Sequence, residues 1–251
     1  MRLRLLLIVA ALFVAPMAFA GTYSLNDWCF YVNSLDINHS CNQSGADNFV
    51  PPVSPGTFDF SHLTDQNALG SVTITLPPGN YNVFAFYDYD VQGGSPSALN
   101  EFASVVGSAA IGQVYSVDAQ GDPSSGGAVT ATTPGFLHDQ FVHAGDLVGG
   151  APIGLDNTNH LPSCATAPCE DVSVSLGYTN VTVAPGVTTT ITFDVGSTAP
   201  TSGSFIQQTD STSGNSVFFS STLTSTPEPG TVVLMSAGLG MLLMGLRRRR
   251  A

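Results

Sequence analysis

The feature that most constrains this chain is a two-residue alternation of apolar and hydroxyl side chains. Val187, Thr189, Ile191, Phe193 and Val195 alternate with Thr188, Thr190, Thr192 and Asp194. Val72, Ile74 and Leu76 alternate in the same way with Ser71, Thr73 and Thr75, and Val172, Val174 and Leu176 with Ser173 and Ser175. A period of two puts successive side chains on opposite faces of a strand, one toward a core and one toward water. Pro77-Pro78-Gly79-Asn80 and Ala184-Pro185-Gly186 break the pattern where turns are expected. Tyr81–Tyr87 is apolar on both faces apart from Asn82, as in a strand at the middle of a sheet. Outside the two ends, no window of helical length repeats convincingly at i, i+3 and i+4. The expected fold class is all-β, an antiparallel β-sandwich over residues 21–196.

Charge narrows the function. The six basic residues of this 251-residue chain are all arginines at its ends: Arg2 and Arg4, then Arg247, Arg248, Arg249 and Arg250. Against 18 acidic residues, nothing between Leu5 and Leu246 is Lys or Arg. Without cations the body cannot neutralise a phosphate backbone, so nucleic acid is excluded as a partner. A P-loop, a Schiff-base lysine and an arginine clamp are excluded for the same reason. Each carboxylate of the body must be solvated, hydrogen-bonded or matched by a cation from outside.

Both ends read as addresses. Arg2 and Arg4, the apolar run Leu5–Val14 and the small residues of Ala18-Phe19-Ala20 form the three parts of a secretory signal, so residues 1–20 are expected to be a signal helix cut before Gly21. At the other end Pro227-Glu228-Pro229-Gly230 breaks the chain, Thr231–Leu246 is apolar, and Arg247–Arg250 closes it. The apolar stretch is expected to be a short C-terminal transmembrane helix, with the four arginines anchoring its topology on the cytoplasmic side. Pro-Glu-Pro, a Gly-rich apolar helix and a terminal arginine cluster, over residues 227–251, resemble the PEP-CTERM sorting signal. That resemblance implies a Gram-negative protein exported across the inner membrane and transiently membrane-anchored. An exosortase, a membrane-embedded cysteine peptidase, would then process it near Pro227, Glu228 and Pro229 for the cell surface or the exopolysaccharide matrix.

Between domain and signal, 16 of the 30 residues from Ser197 to Thr226 are Ser or Thr, the composition of a flexible stalk. Phe218 and Phe219 leave open a last strand over Ser216–Leu223. The segments TLPPGNYNVFAFYDYD and NVTVAPGVTTTITFDV resemble paired elements of transthyretin-like β-sandwiches of the carboxypeptidase-regulatory type. About 90 residues separate them, so an insertion or extra strands are expected between.

Cys29, Cys41, Cys164 and Cys169 are expected to be disulfide-bonded in an exported chain, most simply as the local pairs Cys29–Cys41 and Cys164–Cys169. A four-cysteine zinc site lacks the usual Cys-x2-Cys spacing. His138 and His143 flank Asp139 but fall on opposite faces of a strand, and His39, His62 and His160 stand among polar residues, so surface histidines are the default reading. No Gly-x-Ser-x-Gly elbow is present.

The sharpest local feature is Asp88-Tyr89-Asp90, where the expected core-facing stripe Phe84, Phe86 turns into two carboxylates ahead of Gln92-Gly93-Gly94. With Glu101 these form a candidate calcium site, although the loop departs from the EF-hand pattern at its twelfth position, Leu99. Asp118 and Asp122, Asp156 with Asn157 and Asn159, or Glu170-Asp171 could lend further ligands. Tyr87 and Tyr89 beside the two aspartates suggest either a sugar-contacting patch or ordinary core. The chain is thus expected to be a non-catalytic structural or adhesive protein. The alternatives are a calcium-dependent carbohydrate-binding module and, behind it, a secreted hydrolase.

Overall fold

A computed structural model describes residues 22–32, 39–43, 58–63, 69–92, 100–119, 155, 157–160, 172–228, 230, 234–239 and 241. Eleven strands are described: β1 (Thr22–Val32), β2 (His39–Gln43), β3 (Phe58–Leu63), β4 (Gly70–Leu76), β5 (Gly79–Gln92), β6 (Glu101–Val106), β7 (Gln113–Ala119), β8 (Val172–Val183), β9 (Val187–Gly196), β10 (Phe205–Asp210) and β11 (Ser216–Pro227). They form two sheets, sheet A in the order β2-β1-β5-β8-β7 and sheet B in the order β3-β4-β9-β11-β10-β6. Every ladder between neighbouring strands is antiparallel.

The two turns expected from sequence carry the chain between the sheets. Pro77-Pro78 leads from β4 in sheet B to β5 in sheet A, and Ala184-Pro185-Gly186 returns it from β8 to β9. In the second turn the Val187 N–H donates to Ala184 O at 3.2 Å, and Gly186 takes φ 74°. Pro then Gly in the central positions is the demand of a type II turn, whose third residue needs positive φ. The two transthyretin-like segments are therefore neighbours in space, with β5 beside β8 and β4 beside β9.

The core lies between the sheets. Val72, Ile74 and Leu76 of β4, with Ile191, Phe193 and Val195 of β9, are buried while their Thr neighbours face outward, as the alternation predicts. Sheet A contributes Trp28, Phe30 and Val32, then Val83, Ala85, Tyr87 and Tyr89, then Val174, Leu176 and Tyr178. Ring contacts tie the layers, Phe30 to Phe193 at 5.7 Å and Phe219 to both Tyr87 and Tyr89 at 5.5 Å. Such aromatic pairs add about 0.5–1.5 kcal/mol each beyond area burial.

Three expectations change. The stretch 197–226 is not a stalk from Phe205 onward, because β10 and β11 are strands of sheet B, with β11 between β9 and β10. Ile206, Gln208 and Asp210 of β10 and Val217, Phe219 and Ser221 of β11 alternate inward. The hydroxyl-rich composition hid a period of two, since much of the Ser and Thr lies in turns and on the outer face.

The second change is at the C-terminus. Among the described residues no helix is long and apolar enough to cross a membrane, and helix is described only at 230, 234–239 and 241. The expected transmembrane helix is corrected on this finding, and with it the membrane as a partner and the transient anchoring before processing. The 16 residues of Thr231–Leu246 would give at most ~24 Å of helix against a ~30 Å hydrocarbon core. Gly238, Gly240 and Gly245 each weaken it by up to ~1 kcal/mol. The signal helix of residues 1–20 and the arginines Arg247–Arg250 lie outside the described residues.

The third concerns β5. Its even residues Phe84, Phe86 and Asp88 do not face the core between the sheets; they occupy the outer face of sheet A, where they too are buried. Cys29 shares that face, is fully buried and is disulfide-bonded, with Cys41 directly opposite in the β1–β2 register. A sulfur held in a disulfide is removed from any zinc ligand set. No cysteine is free among the described residues, and Cys164 and Cys169 lie outside them.

Candidate functional site

Four carboxylates of the described sandwich are buried, Asp88, Glu101, Asp118 and Asp210, in a body that holds no Lys or Arg. Burying a charge is costly unless hydrogen bonds or an opposite charge compensate it, so each needs an account. For Asp210 it is local. Its Oδ1 accepts the Thr212 and Ser213 N–H groups at 2.9 and 2.5 Å, and its Oδ2 accepts Asn100 Nδ2 at 2.5 Å, which pins the β10–β11 turn.

Glu101 has a different task. The described β5–β8 ladder stops at Asp88↔Ser173, so beyond it the β8 side of β5 has no strand partner among the described residues. Two side chains of sheet B take up the exposed backbone groups. Glu101 Oε1 accepts the Val91 N–H at 2.6 Å, and Gln208 Nε2 donates to Tyr89 O at 2.5 Å while also donating to Glu101 Oε2. This bridge joins the edge strand β6 and its neighbour β10 to the central strand of the opposite sheet. The structure therefore does not combine Glu101 with Asp88 and Asp90 in one site. Among the described residues, no group of three or more His, Cys, Asp or Glu is placed to hold a metal.

Asp88 and Asp118 meet instead through sheet A. The registers Asp27↔Asp88, Asp88↔Ser173 and Asp118↔Ser173 set Asp27, Asp88, Ser173 and Asp118 in one row across β1, β5, β8 and β7. Asp90 is half-buried farther along β5, and its Oδ1 has no hydrogen-bond partner among the described residues. Tyr87 and Tyr89 are on the other side of the sheet, fully buried, and burial pushes both phenols above their usual range. They are core residues, which removes them as a sugar-contacting patch.

A separate cleft of about 350 Å³ opens on the outer face of sheet B, lined by His62, Ser71, Asp194, Phe218 and Ser220 among others. The registers His62↔Ser71, Ser71↔Asp194 and Ser220↔Asp194 place hydroxyls on both sides of the carboxylate. Phe218 packs edge-on against Phe205 at 5.9 Å and walls one end. No local spacing announced this cleft, because its residues come from four strands and the turn after β9. Partial burial raises the Asp194 carboxyl above the ordinary value. An acid with a raised folded-state pKa favours the fold while protonated, and that contribution is lost as pH rises through the folded pKa. Asp194→Asn is accordingly expected to melt like the parent at pH 3 and slightly higher at pH 7. A lower melting temperature at pH 7 would contradict this.

His160 shares a 2.6 Å hydrogen bond with Thr158, and Asn157 Oδ1 accepts the Tyr115 N–H at 3.1 Å, so these groups serve the β7 flank. His39 is on β2; His138, His143, Asp139, Asp122, Asp156, Glu170 and Asp171 lie outside the described residues.

The last strand runs straight into the Pro-Glu-Pro motif. Pro227 is the final residue of β11, opposite Val187 of β9, and the Glu228 N–H donates to Gly186 O at 2.9 Å. Pro229 lies outside the described residues. Among protein-family models, residues 225–250 match the PEP-CTERM protein-sorting motif. No curated protein and no solved structure matches the chain, so the transthyretin-like resemblance gains no support beyond its two segments. From the end of its last strand onward the chain thus carries a PEP-CTERM sorting motif, consistent with an exosortase substrate.

Proposed function

We propose that this is an exported protein whose sandwich acts without catalysis, as a structural or adhesive component at the cell surface or in the exopolysaccharide matrix. The observation that carries the reading is the continuity of the sorting motif with β11. Whatever is sorted through Pro227 and Glu228 is the folded sandwich itself, with no spacer between. Two features support a non-catalytic body. A nucleophilic triad needs the imidazole between hydroxyl and carboxylate, whereas the register sets Ser71 between His62 and Asp194. The buried carboxylates Glu101 and Asp210 are committed to holding backbone.

A second reading, a carbohydrate-binding module, draws on the sheet B cleft. A carboxylate flanked by hydroxyls beside a phenylalanine wall can accept hydrogen bonds from a polyol and cover its apolar face. The acidic row of sheet A is on the opposite outer face, so a calcium ion there would not touch a sugar in this cleft.

The test is made in an exosortase-bearing host with the full chain. Wild type is expected to be processed to a faster-migrating form, and a Pro227→Ala/Pro229→Ala chain to remain unprocessed. Equal mobility of the two would overturn the sorting reading. Deleting the protein is expected to weaken biofilm cohesion with no loss of a hydrolytic activity. Saturable retention on one polysaccharide, abolished by Asp194→Ala and Phe218→Ala, would instead favour the binding module.

A further inference from the structure

We infer that the second half of β11 is a releasable strap, and that the exosortase cuts near Pro-Glu-Pro only after residues 225–228 have come off β9. The inference rests on the sorting reading above and adds an autoinhibitory contact to it. While the strap is down, the folded sandwich restrains its own processing site.

The two halves of β11 are held by different means. Residues 216–221 alternate inward and lie between β9 and β10. The ladder to β10 ends at Phe205↔Ser220, and the Tyr178 hydroxyl of sheet A donates to Ser221 O at 3.0 Å. Past that point every residue to Pro227 is exposed, including Leu223 on the core-side stripe. Over residues 222–227, β9 is the only strand partner among the described residues. What holds this half is the ladder to β9, a 2.9 Å hydrogen bond between the Thr189 and Ser225 hydroxyls, and the Glu228 N–H donating to Gly186 O at 2.9 Å. Few buried apolar contacts and solvent-exposed backbone hydrogen bonds mark the segments that open first.

The match to the sorting motif begins at Ser225, so residues 225–228 belong to strap and motif at once. An extended peptide is commonly gripped through its main chain, by pairing along one side. The two sides of this strand are unequal. The Glu228 N–H bond to Gly186 O makes Pro227↔Val187 a non-hydrogen-bonded pair, which turns the Pro227 nitrogen toward the side away from β9. Proline has no N–H to offer there, so that edge is a poor template for another strand. The Glu228 N–H is on the β9 side, and it is occupied while the strap is down. Fraying of a few exposed residues is fast, and when opening outpaces cutting the rate follows the opened fraction.

A staple tests this. Thr189→Cys/Ser225→Cys puts a disulfide across a directly opposed pair of the same non-hydrogen-bonded type, where Cα atoms about 4.5 Å apart are within disulfide reach. In an exosortase-bearing host the stapled full chain is expected to be processed roughly tenfold more slowly than either single-cysteine variant. Thr189→Ala, which removes the hydroxyl tie from outside the motif, should be processed severalfold faster than wild type. In the full chain purified from a host without exosortase, the Glu228 amide should exchange with solvent roughly a hundredfold faster than that of Phe219. A staple that forms and leaves the processing rate unchanged, or a Glu228 amide as protected as that of Phe219, would overturn the inference. A wild-type chain that stays full-length would instead sink the sorting reading, and amide exchange would still decide whether the strap opens.

Discussion

Replacing Gly177 with alanine is expected to destabilise the sandwich by roughly 3–5 kcal/mol, the range of severe overpacking against immobile atoms. Gly177 lies in β8 opposite Phe84, beside the irregularity where the β5–β8 register shifts between Tyr81 and Val83. A Cβ at this position would lie 2.0 Å from Val83 O and 2.8 Å from both the Phe84 Cα and a carbon of its ring. Two of those atoms are backbone of the central strand of sheet A, so no rotamer change relieves the contact. Restoring ordinary separation means moving β8 off β5 by more than 1 Å, at the expense of ladder hydrogen bonds worth about 1 kcal/mol each. The entropy that alanine removes from the unfolded chain works the other way but is limited to about 1 kcal/mol. Urea unfolding should show the midpoint falling by roughly 2 M at an m-value near 2 kcal/mol/M. Gly203→Ala is the matched control. It has open space around its Cβ and a φ of +82°, so only the left-handed backbone penalty of about 1–2 kcal/mol applies. If the two variants lose the same stability, the close approach of β8 to β5 is not as described.

That close approach explains why some strands were legible in the sequence and others were not. β4 and β9 have one face in the core and one outside, so their alternation could be read directly. β5 and β8 are buried on both faces over much of their length, so periodicity identified central strands but could not say which stripe faced sheet B. Phe84, Phe86 and Asp88 were therefore assigned to the wrong side of the sheet. β10 failed for another reason. Its inward residues are Ile206, Gln208 and Asp210, and two of the three are polar, so nothing in composition marks it as a strand. The sorting motif is contiguous and was legible in full. The acidic row was not, because Asp27, Asp88, Asp118 and Ser173 belong to four strands and meet only through three registers. What the sequence did supply is a body without Lys or Arg, in which each buried carboxylate needs an account.

The same separation along the chain governs Glu101, whose bridging partner Gln208 is 107 residues away. Glu101→Ala is expected to cost roughly 3 kcal/mol, because it orphans two buried donors at about 1–3 kcal/mol each. One is the Val91 N–H at the point where β5 has outrun β8, and the other is the Gln208 amide. Gln208 compensates only at a loss, since turning its unpartnered Oε1 toward the Val91 N–H would give up the Nε2 bond to Tyr89 O. Removing both ends separates the role of the bridge from that of the carboxylate. If the bridge only satisfies backbone, Glu101→Gln, which keeps an acceptor for Val91, should recover most of the loss. Glu101→Leu/Gln208→Leu should then remain destabilised, because Val91 N–H and Tyr89 O both stay unsatisfied in an apolar setting. A double variant as stable as the parent would mean that water reaches this end of β5. The edge strand β6 would then be held by its ladder to β10 and by the Asn159 Nδ2 bond to Ala103 O.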